Sequence, residues 1–162
     1  MIGRLIKLAR EQRGAVLIEL ALAAPLLATM VVGVTDLSIA FGKKLQLEQA
    51  AQRAIEKVAQ TTGEKTPEDT IKTEAVCQYN GTNVNGTCKT SPIDVGDVTV
   101  TYTLKCNGAV TAYSSDCTSG QTELRYIEAE VVDTYEPMFP LHFGTESDGT
   151  YHLSATAGVR VG

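Results

Sequence analysis

Histidine is scarce in this chain: 162 residues contain only two, His142 and His152. There is no H-E-x-x-H, no G-x-S-x-G elbow and no glycine-rich phosphate loop, so zinc-hydrolase, serine-hydrolase and nucleotide-binding readings lack their minimum parts. Ser114, Ser115 and Asp116 do not make a triad. The four cysteines include no C-x-x-C pair, which removes the usual spacing of a zinc ribbon or a thioredoxin-like redox site. Basic charge is also in short supply, with a formal net charge of −5, so binding to nucleic acid by phosphate neutralisation is not expected. A solvated acidic exterior is the simpler use of those carboxylates. No catalytic residue, cofactor or metal is expected.

What the chain does have is one long apolar run. From Ala15 to Thr35 there are 21 residues with a single charge, Glu19. A helix of about 20 such residues crosses the ~30 Å of bilayer hydrocarbon. An acid inside such a segment is costly and therefore a functional candidate. Ahead of it, Arg4, Lys7, Arg10 and Arg13 outweigh Glu11, and by the positive-inside rule this basic flank keeps the amino terminus cytoplasmic. Everything after Phe41 is then expected outside. Glu19 lies four residues after Ala15, a spacing that shares one helix face, so an amine created by cutting after Gly14 would lie within its reach.

The run R-G-A-V-L-I-E-L-A-L-A-A-P, from Arg13 to Pro25, resembles the cleavage and assembly motif of TadE-like minor pilins of tight-adherence (Tad/Flp) pili. That family has a basic leader, a glycine before the cut, a glutamate at the fifth mature position and often E-F-A-L followed by proline. Leu20 stands here where the family commonly has phenylalanine. The resemblance implies a bacterial inner-membrane protein cleaved by a prepilin peptidase between Gly14 and Ala15. It assigns Glu19 and Pro25 to assembly, with Glu19 pairing with a subunit amino terminus. The partners it implies are major and other minor pilins, the inner-membrane assembly platform and membrane lipid. Two rivals use the same stretch. A secretory signal peptide cut at Ser38-Ile39-Ala40 would have a shorter, acid-free apolar region. An uncleaved anchor for a periplasmic binding or enzymatic domain explains the length but gives Gly14 and Glu19 no purpose.

Downstream, Leu47, Ala51, Ala54, Ile55 and Val58 keep a helical period, which predicts one helix from Ala15 to about Gln60 whose second half is amphipathic. Pro25 removes one of its internal hydrogen bonds. Ala24 with Ala28, and Thr29 with Gly33, are small-xxx-small pairs, a pattern that suits close helix contact and that also arises by composition alone. Asp36, at the outer end of the run, reads as an interfacial residue. A second helix is expected from a Thr66 cap to about Cys77, burying Ile71, Ala75 and Val76. Cys77, Cys88, Cys106 and Cys117 are expected as disulfides, and equal ten-residue spacings favour pairing 77 with 88 and 106 with 117. Period-two alternation around Val98–Leu104, Ile127–Val131 and Tyr151–Val159 predicts three strands. The apolar, proline-broken segment from Glu136 to Gly144 reads as a satellite core under the sheet edge or as a contact patch for another subunit. The expected class is α+β and pilin-like, a long helix packed on a small antiparallel sheet. Its divisions are a leader over 1–14, a membrane and assembly segment over 15–41 and an exported domain over 42–162.

Overall fold

A computed structural model describes residues 12–61, 63–139 and 144–161, and of 12–15 and 64 the backbone alone. The leader residues up to Glu11, and Pro140 to Phe143 with His142, lie outside the described residues. Helix α1 spans Gln12–Gln60 without interruption, passing through Pro25. At ~1.5 Å per residue it is about 74 Å long. Its first half is apolar on all sides. There the hydroxyls fold back on the helix, Thr29 donating to the Pro25 carbonyl at 2.5 Å, Thr35 to Val31 at 2.8 Å and Ser38 to Val34 at 2.7 Å. A donor satisfied within its own helix carries no unpaired polar group into an apolar environment.

The second half of α1 has a single buried stripe, and Leu47, Ala50, Ala51, Ala54 and Val58 are wholly buried. Alanine at three of these positions lets the backbone of the helix approach the sheet closely. After a 3-10 turn at Gly63–Lys65, helix α2 runs over Glu68–Asn80. Its buried edge is Ile71, Ala75 and Val76. Glu74 ties it to α1 through Arg53 at 3.1 Å and Lys57 at 3.6 Å. Two expectations about α2 need correction. Thr66 does not cap it: the hydroxyl pairs with that of Thr61 at 2.7 Å, and Pro67 occupies the cap position with no side-chain bond. The helix also runs one turn beyond Cys77, because the first residue able to end it is Gly81, at φ 77°, whose N–H closes on the Cys77 carbonyl at 2.9 Å.

Four strands follow: β1 (Val98–Cys106), β2 (Ala109–Thr111), β3 (Glu123–Tyr135) and β4 (Tyr151–Arg160). They form one antiparallel sheet in the order β2-β1-β3-β4. Register brings the alternating apolar residues into rows, Val98 beside Val131 beside Ala155 and Tyr102 beside Ile127 beside Val159. That face, with Ile127, Ala129 and Val131 wholly buried, packs against the stripe of α1 and the edge of α2 in one core. The sequence pattern missed β2, a three-residue strand with no buried position. It forms because Asn107 and Gly108 adopt φ values of 50° and 89°, the left-handed pair of a two-residue hairpin turn.

Cys77 is joined to Cys88 and Cys106 to Cys117. The second bridge closes the loop that Arg125 also holds, its guanidinium donating to the carbonyls of Tyr113 at 2.7 Å and Ser115 at 3.0 Å and to Glu123 at 2.6 Å. The Arg125 bond holds the Glu123 carboxyl below its usual range, helped by the Cys117 N–H. Replacing both Cys106 and Cys117 with serine should lower stability by ~2 to 3 kcal/mol, as expected for opening a loop of this size. The denaturant midpoint of the full chain in detergent measures this, after non-reducing peptide mapping has established the pairing in the wild type.

Candidate assembly segment and its junction with the sheet

The part of α1 that precedes the domain is solvent-facing throughout the structure. Val16, Leu17, Ile18, Leu20, Leu22, Leu26 and Leu27 are all more than half exposed. This is the one helix among the described residues long and apolar enough to cross a membrane, and none of its apolar window is buried against protein. It fits a single-pass anchor. Gly14 and Ala15 lie in its first turns, and Glu19 follows one turn later as an exposed carboxylate among exposed apolar side chains. Pro25 is exposed as well. These four residues share one helix and are remote in sequence from all four cysteines, which lie on α2, on β1 and in the loops that follow them. Among the described residues no group of three or more His, Cys, Asp or Glu is placed to hold a metal ion.

Where the apolar run ends, the helix meets the domain. Asp36 is 1% exposed, so its carboxylate is solvated by protein groups and not by water. Its carboxylate accepts the Tyr135 hydroxyl at 3.2 Å and the backbone N–H groups of Met138 at 2.9 Å and Phe139 at 3.2 Å. All three donors come from the end of β3 and the segment after it. A buried carboxylate needs such partners, and here the turn after β3 is drawn onto the helix to provide them. Two turns further on, Lys43 pairs with Asp133 at 3.0 Å and lies over the Tyr135 ring at 5.4 Å. Asp133 also accepts the Tyr79 hydroxyl of α2 at 2.5 Å, and the Lys44 ammonium donates to the Ser154 carbonyl of β4. Burial, and then the neighbouring carboxylate, push both tyrosine hydroxyls above their ordinary pKa, Tyr79 against Asp133 and Tyr135 against Asp36.

Residues 14–55 match the family model of TadE-like proteins. The TadE-like segment therefore begins at Gly14, takes in Glu19, Pro25 and Asp36, and ends within the buried stripe of α1. It is about a quarter of the chain. The family is associated with tight-adherence pili and, generally, with their assembly and with other pilins. No curated protein and no solved structure matches this chain.

The junction residues are what the sequence pattern did not reveal. Asp36 is separated from its three donors by about a hundred residues, and no spacing rule links positions so far apart. The segment after β3 also departs from expectation. Its described apolar residues do not form a satellite core, since Met138 is 71% exposed and Phe139 37%. What fixes them to the helix is their backbone, through the two bonds to Asp36. Replacing Asp36 with Ala should cost about 1 to 3 kcal/mol, because the buried Tyr135 hydroxyl and two part-buried N–H groups lose their acceptor together, whereas Tyr135→Phe should cost about 1 kcal/mol. Denaturant midpoints of the full chain in detergent test the order; equal costs would contradict it.

Proposed function

We propose that this chain is a non-enzymatic structural subunit, a minor pilin or pseudopilin of TadE type. A membrane prepilin peptidase cuts it between Gly14 and Ala15, and it then joins other pilins at or near the start of a tight-adherence pilus. In this reading the amino terminus faces the bacterial cytoplasm, α1 crosses the inner membrane, and the domain from Gly42 onward is periplasmic until assembly. The observation that carries it is the position of Glu19. It is the only charge between Ala15 and Thr35, in an apolar stretch with no buried position among its described residues, one turn from the residue that would become the new amino terminus.

A lone subunit can keep both the Ala15 amine and the Glu19 carboxylate hydrated at the membrane surface. Packed among other apolar helices, each would be a buried charge, and an unpaired buried ion is penalised by several kcal/mol. A carboxylate one turn from an amine therefore favours the assembled state in which helices from different subunits lie together. Ala24, Ala28 and Gly33, with Thr29 bonded back to its own helix, offer that contact close approach. The exposed apolar half is then a surface awaiting either lipid or neighbouring subunits.

Mass spectrometry of the protein from its native membrane should read Ala15 as the first residue. An intact Met1 or a start near Phe41 would remove the reading. Glu19→Gln should still insert, be cleaved and form both disulfides, yet capture less of its partner pilins and support fewer pili. Failure already at insertion would assign Glu19 a different role.

A further inference from the structure

Met138 and Phe139 are adjacent exposed apolar residues beside the helix, whereas Val84, Val95, Val110 and Val132 are exposed singly on other loops and strands. Met138 and Phe139 donate their backbone N–H groups to Asp36, so both lie within one residue length of that side chain. Asp36 in turn sits where the apolar run of α1 stops. The helix from Val16 to Leu37 is about 33 Å long, close to the ~30 Å hydrocarbon thickness, so a spanning α1 places Asp36 at the boundary between acyl chains and headgroups. Leu37 and Phe41, 44% and 63% exposed, continue the apolar surface there. Immediately above, Tyr151 is partly exposed, its ring 6.0 Å from and nearly parallel to the buried ring of Tyr135. A partly exposed tyrosine just beyond an apolar surface suits the headgroup level of a membrane interface. Glu136, the acid of this segment, lies on the strand side of the two apolar residues and is exposed.

We propose that the segment after β3 is a membrane foot: Met138 and Phe139 insert into the headgroup–acyl boundary beside α1, at a depth fixed by their hydrogen bonds to Asp36. The inference rests on α1 spanning the bilayer. It accounts for two features that a water-exposed loop leaves unused. One is the outward projection of a methionine, beside a phenylalanine about one-third exposed, on a backbone that is held in place. The other is the complete burial of an acid at the membrane boundary, where the foot takes over the role of its hydrating water. Continuity with the span argues for lipid as the occupant, since the patch is small and begins where the lipid-facing helix surface ends.

The chain contains no tryptophan, so one introduced residue is a unique fluorescent reporter. The full chain would be reconstituted in phosphatidylethanolamine–phosphatidylglycerol vesicles as three variants: Met138→Trp, Leu27→Trp in the middle of the apolar helix, and Val84→Trp in a fully exposed loop. Lipids brominated near the headgroup end of the acyl chain should quench Trp at 138, which should also emit at shorter wavelength than Trp at 84. Lipids brominated near the methyl end should quench Trp at 27 most. Adding Asp36→Asn to the Met138→Trp variant should weaken the shallow quenching there, while the same change should leave Trp at 27 unaffected. If Trp at 27 is quenched but Trp at 138 behaves like Trp at 84, the foot is refuted while the span stands. If Trp at 27 escapes quenching, the span itself fails and the foot with it. A blue shift at 138 that rises with protein density and ignores brominated lipid would identify a second copy as the occupant and overturn the proposal.

Discussion

A carboxylate on a helix at the edge of a long apolar run must be solvated by something, and in this chain the task falls to the far end of the protein. Asp36 takes one hydroxyl and two backbone N–H groups from the end of β3 and the residues after it. Without that arrangement the helix would carry an unsatisfied charge at the point where its surroundings change, and the strand end would have three donors with nowhere to go. The bond therefore couples two otherwise independent events, the exit of α1 from its apolar half and the docking of the sheet. The Lys43–Asp133–Tyr79 cluster repeats the device two turns along, adding α2 to the same joint.

On either side of that joint one helix obeys two different rules. Before Asp36 its surface is apolar all round, and its hydroxyls are turned back on its own carbonyls, as suits a helix whose surroundings offer no hydrogen bonds. After Leu45 the apolar residues narrow to a stripe, and the opposite faces carry Glu48, Arg53 and Glu56 in contact with water. The sheet meets the stripe with rows of small and branched side chains, so the core is thin and depends on close approach at Ala50, Ala51 and Ala54 rather than on large residues. The TadE-like match covers the apolar half and runs into this stripe, ending before the sheet.

Periodicity made the elements legible because it is a local property. The stripe from Leu47 to Val58, the edge of α2 and the alternation in β1, β3 and β4 all follow from spacings of two, three or four residues, and the structure buries those same side chains. Strand β2 escaped because it buries nothing, and the information lay in the turn: Asn107-Gly108 is a strong hairpin signal. Thr66 misled because a threonine before Pro-Glu-Asp has the composition of a cap, while its hydroxyl had a nearer partner in Thr61. Asp36 was out of reach for a different reason. A polar residue at the end of an apolar run looks the same whether it faces water or a backbone a hundred residues away, and only tertiary structure separates the two. The resemblance carried by Gly14, Ala15 and Glu19, by contrast, rests on a few adjacent residues, which fall within the TadE-like match.

Helix α1 continues from the apolar half into the core without a break, and no linker separates the two. The domain is thus clamped to a stiff shaft. A continuous α-helix has no joint at which to absorb motion, so any tilt of the shaft, or rotation about its axis, carries the sheet through the same angle.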